Sequence, residues 1–382
     1  MVKVLAVGGA GDMGRVGAET IALEGVVDSV VIADLDGGRA RDVAASIGPK
    51  ASAIELDITD TAALDAALSE VDLVLNTVGP FFRFGPPVLE AAIRTRTDYA
   101  DIMDDWQPTV EMLGLDDAAR EVGITALIGM GASPGVSNML AAKAMQQLDE
   151  ATSLHTVWRA GVGIPKAPAE GEDYEPAAAI DHWIHNLAYP ILVWQDGRYQ
   201  EIPPRQQVEI NYPGFGPAPT WMCGHPEPIT LPRTYPGLIE SYNLMTSRPG
   251  LMKVAGEISE RVAAGELSIR DAGRELIFAP GRRGPEAGEA PDLPGVFVLA
   301  SGTRDGVPTR VAVSTNVLPG GSMGASTSIP LAVGAAMIAR GEVTRHGVFA
   351  PEGILDPDLF FDRLAAFVDT DLPPLEVQVE RA

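Results

Sequence analysis

Lysine and cysteine are scarce in this chain, and each shortage excludes something. A single cysteine, Cys223, rules out an internal disulfide framework and suits a cytoplasmic compartment. Five lysines among 28 basic residues face 52 acidic ones, leaving a net charge of −24. A surface of that sign repels phosphates, which excludes nucleic acid and anionic membranes as partners. Long apolar runs are missing too. The most apolar stretch, from Thr125 to Met145, is interrupted by Gly129, Gly131, Ser133, Pro134 and Asn138, so no transmembrane helix is expected. The opening residues, MVKVLAVGGAG, enter a strand without the basic and apolar regions of a signal peptide.

What is present is ample material for folded cores. Hydrophobic residues make up 46% of the 382 positions and charged residues 21%. Single cores stop growing near ~250–300 residues, so about two domains are expected. Over the first 130 residues, short apolar runs alternate with helical patterns. Strands are predicted at 3–7, 29–33, 51–56, 72–76, 99–102 and 124–128, with helices at 13–24, 37–47, 61–69, 86–94 and 108–122 between them. That alternation implies an α/β fold with a Rossmann-type, doubly wound parallel sheet. After residue 131 the texture changes. A helix at 136–148 leads to a strand at 153–161, and Asp196-Gly197 and Asp305-Gly306 signal hairpin turns. The middle region is predicted to be an inserted α+β domain containing an antiparallel sheet, with 280–294 as a surface loop. The expected division is 1–132, 133–325 and 326–382, the last part returning as helices to the first domain.

The motif that carries chemistry is Gly9-Ala10-Gly11-Asp12-Met13-Gly14, a GxGxxG after a strand and at the mouth of a helix. The first glycine permits a tight turn, the second lets backbone approach a pyrophosphate, and the third lets helix and strand pack closely. The N–H groups of the helix start, at Asp12 and Met13, would meet the phosphates. Asp34 follows Gly14 by 20 residues at the end of the second strand, where an acid accepts hydrogen bonds from ribose hydroxyls. Asp34 would repel a 2′-phosphate, so NAD is the expected cofactor. Arg39 and Arg41 lie just beyond and would admit NADP if they folded back over the ribose; otherwise they are a solvated helix face. Asp57 and Ile58 follow the third strand and are candidates for the adenine side, with Asp60 a helix cap. Thr77, Val78, Gly79 and Pro80 close the fourth strand, where the nicotinamide half would pass.

These residues, together with Phe81 and Gly85-Pro86, resemble the saccharopine dehydrogenase-like oxidoreductases. So do Thr97-Asp98-Tyr99-Ala100-Asp101 and the turn Gly131-Ala132-Ser133-Pro134-Gly135 followed by Asn138. More loosely, Arg159–Pro165 is similar to a strand exit of that family's substrate domain, and residues 337–352 to its closing helix and turn. The resemblance implies hydride transfer between a nicotinamide and a carbon bonded to nitrogen in an amino-acid-like small molecule. It also implies a substrate domain inserted into the dinucleotide domain, and a homodimer. Asp181-His182-Trp183-Ile184-His185 stands where saccharopine reductases carry an aromatic, lysine-rich stretch, so saccharopine itself is not carried over as substrate. Carbonyl or alkene reduction on the same scaffold, or a cofactor sensor without turnover, are the alternatives.

The cofactor performs the hydride chemistry, so the chain must supply position and electrostatics. Tyr99 and Asp101 lie two apart on one strand and face one side. Two roles are open to them: contact with a substrate ammonium and proton relay, or a capping and packing role. His182 and His185 share one face if the stretch is helical; either His182 is the proton shuttle, or one histidine is buried and hydrogen-bonded and the other lies at the surface. No third ligand at suitable spacing accompanies them, so no metal is expected. Arg159 and Lys166 bracket the glycine-rich strand exit and either clamp a carboxylate, with His185 beside the substrate, or are equally surface charges. Tyr212, Trp221, His225, Arg233 and Tyr235 are unranked pocket candidates. Cys223 is expected to be a buried hydrophobe, since nothing adjacent would activate its thiol.

Overall fold

The computed structural model describes residues 2–161, 178–279 and 288–381. The predicted loop at 280–294 therefore falls partly outside the described residues. Two compact units emerge: Met1–Ala142 with Thr315–Glu376, and Lys143–Ser314 with Val377–Ala382.

The strands of the first unit are β1 (Val2–Val7), β2 (Val27–Asp34), β3 (Ala51–Glu55), β4 (Leu73–Asn76), β5 (Asp98–Asp101) and β6 (Thr125–Leu127). The second unit contains β7 (Glu150–Arg159), β8 (Ile191–Gln195), β9 (Arg198–Ile202), β10 (Gln207–Tyr212) and β11 (Gly216–Met222). It continues with β12 (Glu240–Thr246), β13 (Val296–Arg304) and β14 (Val307–Thr315). β15 (Gly347–Phe349) and β16 (Leu375–Arg381) close the chain.

In the first unit seven parallel strands run in the order β15-β6-β5-β4-β1-β2-β3. β4 and β6 are buried along their full length, as central parallel strands with helices on both faces must be. From β1 the chain winds outward through β2 and β3, then returns to place β4 on β1's other side. The loops after β1 and β4 therefore diverge at the switch point, where doubly wound folds open a ligand crevice. Helix Met323–Ala339, capped by the Ser322 hydroxyl at the Ala325 N–H (3.0 Å), packs against helix Asp12–Ala22.

The second unit is a nine-stranded mixed sheet. Its main path is β10-β11-β12-β7-β13-β14-β16, with β8 and β9 branching from β12. β7 and β12 are parallel, whereas β7–β13, β13–β14 and β10–β11 are antiparallel. Alternation along β7 and β12 sends side chains to two faces. Val157, Tyr242 and Leu244 join Phe297 and Leu299 on one. Trp158 and Met245 meet Trp183, Ile184 and Leu276 on the other. At the predicted hairpins, Asp196, Gly197, Asp305 and Gly306 all take left-handed φ values of 54–73°, the geometry of a tight two-residue turn.

Three local expectations change. The helix predicted at 86–94 starts at Phe81 and carries Pro86 and Pro87 inside it. Each proline removes only one N–H, and the buried face formed by Val88, Leu89, Ala91 and Ala92 holds the helix together. The helix predicted at 108–122 is two, Trp106–Leu113 and Asp116–Val122, separated at Gly114-Leu115. Strand β16, exposed along most of its length, has too little alternation of apolar residues to be seen in the sequence.

Candidate functional site

The glycine turn between β1 and helix Asp12–Ala22 has the shape its sequence requires. A Cβ on Gly14 would fall 2.0 Å from the Gly8 carbonyl oxygen and 2.7 Å from Thr77 Oγ1, so only glycine fits. Gly11 caps the helix with extended backbone and no side-chain cap, and Asp12 and Met13 form its first turn. The N–H groups at the helix start are therefore presented to a ligand rather than to a capping side chain. This cradle fits the pyrophosphate of a dinucleotide.

Asp34 stands beside the turn. Its Oδ2 accepts the Ala10 N–H (3.1 Å), and its Oδ1 accepts the Asp36 N–H (3.1 Å). Arg39 turns back toward the same loop and donates from Nη2 to the Ala10 carbonyl (2.9 Å). Of the two roles open to Arg39, the structure places it over the glycine turn rather than on a purely solvated face. Asp57 accepts the Thr59 N–H (2.9 Å) and hydroxyl (2.7 Å), and these bonds hold its pKa below the ordinary value. Ile58 lies within that short turn. Asp60 caps helix Thr61–Leu68 through the Ala62 and Ala63 N–H groups (both 3.1 Å).

Behind the turn lies a buried polar network across the carboxyl ends of β1, β4, β5 and β6. The Thr77 hydroxyl donates to the Val7 carbonyl (2.9 Å). Asn76 accepts the Val78 N–H on Oδ1 (3.1 Å) and donates from Nδ2 to the Tyr99 hydroxyl (3.0 Å). Tyr99 in turn donates to Asp101 Oδ2 (2.8 Å), while Asp101 Oδ1 accepts the Gly129 N–H (2.7 Å) and the Met103 N–H (3.1 Å). Tyr99 is 0% exposed and Asp101 1%. Burial raises the Asp101 pKa to about 6 against the opposing pull of its N–H donors, and burial beside Asp101 pushes the Tyr99 phenol well up. Both side chains of this pair are enclosed in the network, and neither presents an exposed atom. The turn at 131–135 is also tied down: Asn138 accepts the Gly135 N–H (2.8 Å) and donates to Glu352 (2.8 Å).

The second unit gathers a different set. Trp158, near the end of β7, stacks on His225, with centroids 5.1 Å apart and planes 6° apart. His182 tilts onto His225 at 5.5 Å, and its Nε2 lies 2.9 Å from Asn186 Nδ2. Behind Trp158, its indole N–H donates to Asn243 (2.9 Å), which donates to Thr156 (2.9 Å) and to the fully buried Glu227 (3.0 Å). Gly224 lets Asn186, the partner of His182, lie close to the backbone, since a Cβ there would fall 2.6 Å from Asn186 Oδ1. His185 parts from His182 and tilts onto Tyr189 at 5.0 Å. Arg159 donates to the Leu293 carbonyl, a structural bond within the unit. Lys166 lies outside the described residues.

Sequence reasoning passed over Asn76 as a hub and left Trp158, Asn243 and Glu227 unnoticed. The Cys223-Gly224-His225-Pro226-Glu227 run, with two polar groups around a glycine and a proline, was the available signal for the last of these. Trp158 and Asn243 sit on strands like any half-buried residue, and only register brings their neighbours together.

A doubly wound sheet with this turn and this acid defines a dinucleotide-binding scaffold. Residues 4–127 match the family model described as "Saccharopine dehydrogenase NADP binding domain". The chain is 25% identical over 392 residues to a carboxyaminopropylagmatine dehydrogenase of Synechocystis, covering 95% of both chains. It is also 37% identical over 98 residues to a trans-acting enoyl reductase of Mycobacterium leprae, 25% of this chain and 23% of that one. In fold it matches an apo saccharopine dehydrogenase (L-Glu forming) from Saccharomyces cerevisiae, with TM-score 0.63 at 17% identity over the whole of both chains. The chain is thus similar to a saccharopine dehydrogenase NADP-binding domain over residues 4–127 and to a dehydrogenase along nearly its whole length.

Proposed function

We propose that the chain transfers a hydride to or from a carbon bonded to nitrogen in an amino-acid-derived small molecule. The observation that carries this reading is the full-length likeness to a carboxyaminopropylagmatine dehydrogenase, which extends through the second unit and is not confined to the cofactor domain. The enoyl reductase likeness covers a quarter of this chain and therefore says little about substrate.

When bound, the nicotinamide supplies or accepts the hydride. The chain's own part is to hold and to move protons. Gly9, Gly11, Asp12, Met13 and Gly14 hold the pyrophosphate, and Asp34 the adenosine ribose. Asp57 and Ile58 lie toward the adenine, and Thr77, Val78, Gly79 and Pro80 toward the nicotinamide. His182, with His225 against it, is the group that gives or takes the proton at nitrogen, since imidazole titrates near neutral pH. Arg159 and His185 support the substrate domain rather than the substrate. Asp34 favours NAD, and Arg39 over the glycine turn supplies a positive charge that admits NADP as well. Replacement Arg39→Ala is expected to weaken NADPH binding by about tenfold while changing NADH binding little, as read by fluorescence titration.

The test of the reaction is turnover with NAD(P)H across a panel of 2-oxo acids, each with and without amine donors, beside simple ketones and enoyl esters. Reduction that depends on the amine supports the proposal. Reduction of ketone or alkene without amine overturns it in favour of the alternative chemistries, and binding without turnover points to a sensor. The lone cysteine supports a cytoplasmic location, and a homodimer is the assembly the family resemblance implies. Among the described residues no helix is long and apolar enough to cross a membrane.

A further inference from the structure

The loop Thr77–Pro80 is held from two sides. On the glycine-turn side, Thr77 donates to the Val7 carbonyl (2.9 Å) and lies 3.4 Å from the Gly8 carbonyl. On the other side, the Asn76 side chain both accepts the Val78 N–H and donates to Tyr99, which donates to Asp101 (3.1, 3.0 and 2.8 Å). Asp101 then binds the Gly129 and Met103 N–H groups at the ends of β6 and β5 (2.7 and 3.1 Å). Asn76, Tyr99 and Asp101 are each at most 1% exposed. Water cannot replace a missing member, so removing one leaves its neighbours unsatisfied or forces the loop to shift.

Resting on the cofactor site proposed above, we infer that Tyr99 is a positioning residue: through Asn76 it fixes the Val78 backbone, and so the nicotinamide half of the bound cofactor. The pyrophosphate half is held separately, by Gly9, Gly11, Asp12, Met13 and Gly14. The two halves therefore depend on different residues, although they belong to one ligand. A hydroxyl joined at once to a donor and an acceptor transmits position, because each bond constrains the other. The link runs along β4 and β5, which are paired in register at Val74–Tyr99 and Asn76–Asp101. A change at Tyr99 thus reaches the loop after β4 without passing through the glycine turn.

The experiment compares NADH and NADPH with their nicotinamide-free fragments, ADP-ribose and its 2′-phosphate, on the full chain and on Tyr99→Phe. The expected result is about tenfold weaker binding of the intact cofactor, unchanged binding of the fragment, and a loss of the fluorescence enhancement of bound NAD(P)H. Equal weakening of both ligands, or no change in either, overturns the inference. Asn76→Ala opens the same link from the β4 side and is expected to give the same split, so poor folding of one variant leaves the other to decide. If the unaltered chain binds neither cofactor nor fragment, the cofactor site itself is refuted, and that failure is distinguishable from the failure of the Tyr99 link.

Discussion

The pyrophosphate cradle of the first unit and the ring cluster of the second are made of different material. The cradle is backbone: a glycine turn, a helix start, the Val7 and Ala10 carbonyls at 2.9 Å from Thr77 and Arg39, and the Ala10 N–H at 3.1 Å from Asp34. Its tolerance for side chains is small, as the 2.0 Å approach at Gly14 shows. The ring cluster is side chain: Trp158 stacked on His225 with His182 beside it, backed by Asn243 and Glu227. Backbone chemistry is common to every substrate that carries a pyrophosphate, whereas ring and amide chemistry is specific to what it must recognise. On the proposed function, the difference separates a general task, holding the dinucleotide, from a particular one, choosing the partner for the hydride.

The sharpest way to break this contrast is at Gly14. Gly14→Ala places a methyl group against a backbone oxygen, and overpacking of this kind costs ~1–3 kcal/mol or more. NAD(P)H affinity is expected to fall at least about a hundredfold by titration. His182→Ala tests the other side. Loss of a proton-transfer group lowers turnover by about a hundredfold or more, while the cofactor dissociation constant stays within about twofold. Comparable damage to cofactor binding would erase the division between the two sets of residues.

A third expected effect concerns the buried acid that links β5 to β6. Asp101 has a folded-state pKa of about 6, raised from an ordinary 3.8. A raised acid favours the folded state most when protonated, so its contribution is present below about pH 4 and is lost as pH rises through 6. The full swing is of order 2–3 kcal/mol. Asp101→Asn carries no such titration. The melting temperature of the variant relative to the unaltered chain is therefore expected to rise between pH 4 and pH 7, whatever its offset at acid pH. A difference that stays flat with pH would show that the carboxyl does not titrate in this range.

The same contrast explains what could be read from the residues alone. The glycine turn, Asp34 and the β–α alternation are legible because local rules produce them: spacing places the turn, and a carboxylate at the end of β2 has one obvious neighbour. Asp60 was legible as a cap because capping is local. Arg39 was ambiguous, since whether a helix-face arginine folds back depends on the loop 29 residues away. Tyr99 and Asp101 were ambiguous for a similar reason. Their shared face was plain, but their burial follows from the helices laid over β5 and from Asn76 on a neighbouring strand. His182 and His185 have the spacing of one helical face, yet they meet different rings: His182 meets His225 from the loop after β11, and His185 meets Tyr189 at the end of its own helix. Trp158 and Asn243 had no local signal at all, because strand register brings their neighbours together, and Glu227 had only the run from Cys223 that leads into its helix.

The central claim is that one dinucleotide binds at the backbone cradle of the first unit and serves hydride transfer. Calorimetric titration of the unaltered chain and of Gly14→Ala with NADH and NADPH tests it most directly. The account predicts saturable binding of one cofactor per chain, abolished or weakened at least about a hundredfold by the added methyl group. Binding that survives Gly14→Ala unchanged, or no binding to the unaltered chain, would contradict it.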